Sequence, residues 1–265
     1  MRELNSDPVS LLLYFIMGAA AAVIATMSGV GGGVFFVPMF SLLLGYPIPL
    51  AVGTSKGVVA VVTSFGSISY LREKLVNPSD ALVIASSMIP SSIVGAFLVA
   101  YVEPRLIEVM VGVFVMLYGV RMLYRTFKSL KGGQSSSSQS SDVTSTSRRD
   151  TILKVVAGVI AGLVAGLTGT GGGAILVPIL TTLLRMNLKK AVATSTLAIF
   201  PGSVAAALVH AATDTLVYSA WTLVAPGALM GAVLGPKIVS RIRIALMRPI
   251  VGIVLILVGI RLILS

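Results

Sequence analysis

The sequence predicts an all-α polytopic membrane protein built from two repeats of about five helical segments each. Of its 265 residues, 56% are apolar and 11% are charged, and the mean hydropathy is +1.00. Charged residues make up ~25% of an average soluble domain. Apolar stretches suited to a bilayer recur along the chain, and a set of short motifs occurs twice, 140 residues apart.

Charge and composition exclude several functions. The net charge of +11 does not indicate nucleic-acid binding, because the basic residues lie mostly between apolar segments, as membrane topology requires. The chain has no cysteine and one histidine, His210, so we expect no disulfide, no cysteine nucleophile and no metal. We expect no cofactor, and the expected partners are the lipid bilayer and a small-molecule anion.

Ten apolar segments divide the sequence. The first has a weak basic start and its pattern recurs later, so we expect a structural helix and not a cleavable signal. The segments are Val9–Ser28, Val34–Leu44, Ala51–Tyr70, Ala81–Tyr101, Ile107–Tyr124, Ile152–Leu167, Ala174–Leu184, Ala191–Ala212, Leu216–Val239 and Ala245–Leu264.

A polar tract at Lys128–Asp150 separates the two halves. It contains the serine run Ser135–Ser138 and cannot bury enough apolar area to offset its ordering entropy, so a flexible cytoplasmic linker is expected. A regulatory loop is the alternative. The predicted domains are an N-terminal transmembrane repeat over 1–127, the linker over 128–150 and a C-terminal transmembrane repeat over 151–265.

The halves repeat the same motifs in the same order. Gly29–Pro38 recurs as Gly169–Pro178, and Ala51–Ser55 recurs as Ala191–Ser195. Pro90 and Gly95 match Pro226 and Gly231 at a shift of 136 residues, and Gly112, Gly119 and Arg121 match Gly252, Gly259 and Arg261, back at 140. This order indicates an internal duplication.

The second and seventh segments, Val34–Leu44 and Ala174–Leu184, are too short to cross a bilayer as straight helices. Each spans about 16 Å, half of the ~30 Å hydrocarbon core. Each either joins the preceding segment as a broken helix or folds back as a re-entrant hairpin. Loop charges favour the hairpin, which places Arg72, Lys74 and the Arg185–Lys190 cluster on the linker side. The second repeat is then inverted, and both termini lie outside.

Glycine clusters before both short segments are the first candidate site. Consecutive glycines break a helix, and open backbone at membrane depth is tolerated where it lines a cavity or meets a ligand. Short helices beginning at Val34 and Ala174 would offer free N–H groups to an anion. Close helix packing is the alternative. The candidates are Gly29, Gly31, Gly32, Gly33, Gly169, Gly171, Gly172 and Gly173.

Hydroxyl residues accompany both clusters. Each Thr-Ser pair precedes a long apolar segment, where it can cap a helix and offer donors to an anion. The alternative is that each hydroxyl satisfies a backbone carbonyl within the bundle. The candidates are Ser28, Thr54, Ser55, Thr168, Thr194, Ser195 and Thr196.

Lys56 lies inside an apolar segment, where a charge is rare and faces a cavity or a partner. All nine acidic residues lie in loops or near segment ends. A substrate anion is therefore one candidate partner, and snorkelling to the outer interface is the alternative. Thr196 occupies the matching position, so the site is not symmetric. The lack of acids inside the segments favours an anionic cargo.

His210 stands four residues before Asp214, a spacing that lets the two face each other on a helix. A satisfied interfacial histidine is favoured over a protonation switch. The residues interpreted as interfacial anchors are Trp221, Tyr70, Tyr101, Tyr124 and Tyr218.

The two Gly-Gly-Gly-x4-Pro blocks and the Ala-x-x-Thr-Ser motifs resemble those of the TauE/SafE family of sulfite exporters, over about Val9 to Leu264. The resemblance implies membrane transport of sulfite, thiosulfate, sulfonates, sulfoacetate or some carboxylates, and many members are exporters coupled to the ion gradient. It carries over onto the glycines and Thr-Ser pairs above, with Pro38 and Pro178. The pairs Val30/Thr170 and Lys56/Thr196 differ between the halves.

We therefore expect a secondary transporter in the inner or plasma membrane, exporting sulfite or a related organosulfonate by alternating access. The sequence leaves open whether transport is coupled to protons and whether the protein is a monomer or a homodimer. A passive anion channel and a carboxylate carrier are the alternatives. An enzyme is not expected, because Gly29–Gly33 lacks the ending of a P-loop and His210 is the only histidine that could serve as a base.

Overall fold

A computed structural model describes residues 8–29, 31–131, 148–239 and 247–264. These residues form ten α-helices and one π-helical turn, with no β-strand among them, which confirms the predicted all-α class. The elements are α1 Pro8–Ser28, α2 Gly33–Pro38, the π-helical turn Met39–Leu43, α3 Ile48–Arg72, α4 Pro78–Leu98, α5 Pro104–Lys131, α6 Arg148–Thr168, α7 Gly173–Thr182, α8 Leu188–Ala212, α9 Tyr218–Val239 and α10 Met247–Leu264.

The helices match the ten predicted segments, but α3, α4, α5, α6 and α8 each begin three or four residues earlier than predicted. Helices α3 and α8, for example, start at Ile48 and Leu188. Pro49 lies in the first turn of α3, where its missing N–H costs nothing. The Asn187 side chain accepts the Lys189 N–H at the start of α8. Polar and proline residues thus belong to these helices, which hydropathy alone did not indicate.

The predicted linker is shorter than Lys128–Asp150. Helix α5 continues to Lys131 and α6 begins at Arg148. The rest of the linker, residues 132–147, lies outside the described residues, as do residues 240–246 in the basic loop before α10 and residues 1–7. The division into two repeats and a linker stays a prediction.

Seven of the described helices are long and apolar enough to cross a membrane: α1, α3, α4, α5, α6, α8 and α9. The outer helices expose large apolar side chains such as Leu12, Leu82 and Leu117. Water disfavours so much exposed apolar surface, whereas lipid accommodates it. The chain is therefore a multi-pass membrane protein. Helices α2 and α7 are short, as predicted.

The main helix pairs join the two halves of the chain. Helix α1 packs along α9 and α4 along α6, while α3 packs with α8 and α5 with α10. The sequence repeat relates α1 to α6, α4 to α9, α3 to α8 and α5 to α10. The pairing therefore has the pseudo-twofold symmetry of the repeat, with α3 and α8 as the most buried of the spanning helices.

Close glycine contacts show that α1, α3 and α9 run in the same direction. Gly18 of α1 approaches Val224 of α9, and Gly231, further along α9, approaches Ala22 of α1. Helix α3 follows the same order, with Gly53 against Thr215 and Gly57 against Trp221. Because α1 and α3 are parallel, the chain between them has to return toward the side where α1 starts.

The corresponding helices α5 and α10 run antiparallel. Gly112 of α5 approaches the Gly259 carbonyl of α10, and Gly119 approaches the Gly252 carbonyl. Residue numbers rise along one helix as they fall along the other. Backbones this close require residues without side chains at the contact.

We predict that the ion pair between α4 and α6 stabilises the fold. Lys154 Nζ lies 2.6 Å from Asp80 Oδ1, and both side chains are mostly buried. Asp80→Asn leaves the lysine charge without its partner, so we expect a loss of about 1–3 kcal/mol, measured as a lower apparent Tm in detergent. The matched control is Glu108→Gln, which breaks the exposed pair with Arg105 and should cost less than about 0.5 kcal/mol. Equal shifts in both variants would contradict the prediction.

Candidate functional site

Each half contains a break between a long helix and a short one. Helix α1 ends at Ser28 and α2 begins at Gly33, one residue before the predicted start. The cap residue Gly32 has φ +95°, a left-handed conformation that favours glycine, and no side chain caps the helix. Gly172 occupies the same position before α7, with φ +81°. Val30 lies outside the described residues.

The two breaks contact each other at the centre of the bundle. A Cβ at Gly33 would overlap the Gly169 carbonyl, and a Cβ at Gly31 would lie 3.3 Å from Gly171 Cα. The packing interpretation of the glycines therefore accounts for part of the motif. We call this meeting of the two breaks the crossing.

Ser55 and Ser195 each bind the break of the opposite half. Ser55 donates to the Gly169 carbonyl at 3.2 Å, and Ser195 shares its hydrogen between the Gly29 carbonyl at 3.2 Å and the Val192 carbonyl of its own helix at 2.9 Å. Both serines are fully buried. They satisfy carbonyls that the helix breaks leave open, and a buried carbonyl without a donor is costly. The pair holds the crossing with pseudo-twofold symmetry.

Thr54 and Thr194 bind backbone groups at other helix starts. Thr54 Oγ1 accepts the Val217 N–H at 3.0 Å, next to α9, and Thr194 Oγ1 accepts the Asn77 N–H at 3.1 Å, next to α4. The expectation that these residues cap their own helices is wrong, because α3 and α8 begin two turns earlier. They act as caps for other helices instead.

The remaining hydroxyls follow the carbonyl-binding alternative. Ser28 donates to the Ile24 carbonyl at 2.8 Å, Thr168 to Val164 at 2.7 Å and Thr196 to Val192 at 2.8 Å. Each acceptor lies one turn earlier on the same helix. The hydroxyl hydrogens of these three residues are therefore donated to carbonyls of their own helices.

The free donors at the crossing are backbone N–H groups. Gly32 O accepts from Phe35 and Phe36, and Gly172 O accepts from Ile175 and Leu176. The first two N–H groups of α2 and of α7 have no backbone acceptor among the described residues. Such groups can donate to an anion.

Lys56 is fully buried in α3. Its Nζ has no hydrogen-bond partner in the part of the chain that the structure describes. The snorkelling interpretation is therefore wrong, because the side chain does not reach the surface. The buried polar residues of the described chain include no Asp or Glu, so no carboxylate compensates the lysine inside the bundle.

The interpretation of three residues near segment ends also changes. His210 is fully buried and not interfacial, and its Nδ1 pairs with Thr215 Oγ1 at 2.8 Å and not with Asp214. Tyr70 is buried and donates to the Thr26 carbonyl at 2.7 Å. The indole nitrogen of Trp221 is buried within the bundle. The other anchor candidates, Tyr101, Tyr124 and Tyr218, are exposed.

Sequence reasoning missed His210 as part of the protein interior. The repeat gives no signal for its burial, because the matching residue, Tyr70, is itself interpreted as an interfacial anchor from the sequence. Among the described residues, no group of three or more His, Cys, Asp or Glu side chains comes together in a way that could hold a metal ion.

A multi-helix bundle in which two interrupted helices meet at the centre is typical of polytopic membrane transporters. A sequence model of the family "Sulfite exporter TauE/SafE" matches residues 14–262. The chain therefore belongs to the TauE/SafE family.

Curated relatives agree with this assignment. The chain is 26% identical to the probable membrane transporter protein YunE of Bacillus subtilis, over 96% of this chain and 98% of the relative. It is 25% identical to YdhB of the same organism, over 92% and 98%. A probable membrane transporter protein of Haemophilus influenzae is 24% identical over 91% and 89%. No solved structure matches the chain.

We predict that the crossing tolerates no side chain at Gly33. In Gly33→Ala, the new Cβ would collide with the Gly169 carbonyl, so the breaks must separate, and we expect a loss of at least about 3 kcal/mol or failure to fold. Gly66→Ala is the matched control, since its Cβ meets only two threonine methyl groups at 3.3 Å. Size-exclusion profiles and apparent Tm in detergent measure both variants. A normal Tm for Gly33→Ala would contradict the crossing.

Proposed function

We propose that this chain is a secondary transporter that exports a small sulfur-containing anion, such as sulfite or an organosulfonate, by alternating access. The observation that carries the proposal is the crossing, where two helix breaks contact each other inside the bundle and the first two N–H groups of α2 and of α7 lack backbone acceptors among the described residues. Membership of a family described as sulfite exporters supports the choice of substrate.

The charges inside the bundle favour an anion over a cation. Cation carriers ligate or neutralise their ion with buried carboxylates, and the buried polar residues described here are hydroxyls, Lys56 and His210. A short helix start offers N–H donors and the positive end of its dipole. The crossing combines two such starts with a buried amine nearby.

We further propose that the two repeats are inverted, with a cytoplasmic linker and both termini outside. The antiparallel packing of α5 and α10 supports this, because an axis that relates antiparallel spanning helices lies in the membrane plane. The parallel course of α1 and α3 supports a re-entrant hairpin over α2. Arg72, Lys74 and Arg185 would then share the linker side.

A transport assay tests the substrate and the mechanism. We expect proteoliposomes of the purified protein to take up radiolabelled sulfite with saturable kinetics, and thiosulfate, taurine or sulfoacetate to compete. An imposed pH gradient tests proton coupling. Uptake that does not saturate would favour a passive channel, competition by acetate alone would favour a carboxylate carrier, and no flux of any of these anions would contradict the proposal.

Gly32→Val should abolish sulfite uptake while the protein still inserts into membranes. A branched side chain at φ +95° is strained, and the new Cβ would press on the Phe36 ring at the start of α2. The matched control is Gly45→Val, which carries similar strain at φ +70° but has no neighbour within 4 Å. We expect uptake to fall at least tenfold only in Gly32→Val. Equal loss in both variants would remove the break from the transport site.

Single cysteines test the inverted arrangement against a native background that contains no cysteine. We expect Lys74→Cys and Arg185→Cys to react with a membrane-impermeant maleimide from the linker side, and Gly45→Cys and Asp214→Cys from the other side. All four positions are exposed. Labelling of Arg185→Cys opposite Lys74→Cys would favour the broken-helix arrangement and overturn the hairpin.

A further inference from the structure

Three buried or half-buried positions near the crossing differ between the two copies of the repeat in one respect. At each of them, a side chain with an N–H donor in one copy matches a side chain of another type in the other copy. The pairs are Lys56 with Thr196, His210 with Tyr70 and, counted from the starts of α9 and α4, Trp221 with Ala81. The symmetric frame of glycines, serines and threonines therefore carries an asymmetric set of nitrogen donors.

Trp221 packs against α3, the helix that carries Lys56. Its indole packs against Gly57, the residue that follows the lysine, and a Cβ on Gly57 would lie 2.9 Å from the indole Nε1. Only a glycine at this position allows the ring to lie against α3. The indole nitrogen is buried and has no hydrogen-bond partner among the described residues.

His210 approaches the same place from α8. Its Nδ1 contacts Thr215 Oγ1 at 2.8 Å, and Thr215 packs against Gly53, one turn before Lys56 on α3. His210 Nε2 is buried and lacks a hydrogen-bond partner in the described part of the chain.

The hydroxyl of Thr215 favours a hydrogen on His210 Nε2. Its own hydrogen has three acceptors within reach, and the histidine Nδ1 at 2.8 Å is nearer than Thr213 Oγ1 at 3.1 Å or the His210 carbonyl at 3.2 Å. When Thr215 donates to Nδ1, the ring hydrogen lies on Nε2. The ring then presents an N–H donor to its surroundings.

The symmetry-related positions are satisfied internally. Tyr70, which corresponds to His210, donates to the Thr26 carbonyl at 2.7 Å. Thr196, which corresponds to Lys56, donates to the Val192 carbonyl at 2.8 Å. Lys56, His210 and Trp221 instead each carry a side-chain nitrogen without a partner among the described residues, and they lie on α3, α8 and the first turn of α9.

We propose that Lys56, His210 and Trp221 form an asymmetric binding site for one small oxyanion beside the crossing. The proposal rests on the proposed function and deepens it, because it places the negatively charged substrate at a site away from the pseudo-twofold axis. Donors from three elements match the several lone pairs of an oxyanion such as sulfite. The bound anion supplies the counter-charge that the protein does not give to Lys56, whose burial alone is unfavourable.

The tryptophan provides a direct readout, because Trp221 is the only tryptophan in the chain. We expect sodium sulfite to change the intrinsic fluorescence of the detergent-solubilised protein in a saturable way, and to raise its apparent Tm. Sodium chloride at equal ionic strength should do neither. Free N-acetyltryptophanamide in the same sulfite series controls for direct quenching.

Two variants test the site itself. Lys56→Met removes the charge and keeps most of the side-chain length, so we expect at least a tenfold weaker sulfite affinity. We also expect an unchanged or higher Tm without sulfite, because an uncompensated buried charge is lost. His210→Tyr copies the residue of the first half, which the fold accommodates there, and should weaken sulfite binding at least threefold.

The matched controls are the symmetry-related variants Thr196→Val and Tyr70→Phe. Both remove a buried hydroxyl at a symmetry-related position on the other side of the crossing, so they should lower the Tm and leave sulfite affinity and the KM for uptake within twofold of the wild type. Two results would overturn the site: an unchanged sulfite affinity in Lys56→Met, or equal losses of sulfite affinity on the two sides of the crossing. If the wild-type protein still transports sulfite, the proposed function stands. A wild-type protein with neither sulfite response nor flux would overturn both.

Discussion

The structure depends on one constraint, the need to satisfy open backbone groups far from water. Two helices are interrupted in the middle of a membrane bundle, where an unpaired carbonyl or N–H costs several kcal/mol. The solution is reciprocal, since Ser55 binds the Gly169 carbonyl of the other break and Ser195 binds that of Gly29. The glycines are needed because only bare backbone lets the two breaks come close enough for these bonds.

Much of the architecture follows from local features of the sequence. Segment length, hydropathy and consecutive glycines depend on neighbours along the chain, so the ten helices and both breaks were predicted. The predicted starts of α3 and α8 were less accurate. Proline and asparagine interrupt an apolar stretch in the sequence, yet both are favourable at the start of a helix.

The environment of individual side chains could not be predicted in the same way. A sequence shows that Thr54 carries a hydroxyl, but its partner, the Val217 N–H, belongs to the other half of the chain. Lys56 lies near a predicted segment start, and its burial depends on the packing of α8 and α9 against α3. His210 is similar, since its side chain contacts Thr215 and not Asp214, the residue that the helical spacing suggested. Partners across a duplication become visible only once the two copies are folded together.

The pairing of α1 with α9 has a consequence for biosynthesis. Helix α1 leaves the ribosome well before α9, the helix against which it packs. In the same way α4 waits for α6, α3 for α8 and α5 for α10. Neither half can complete its own packing, so the first helices must stay in the membrane with their small-residue faces against lipid until the second half is inserted. A break in translation within the linker would therefore leave a set of unassembled helices for quality control, and not half of a working protein.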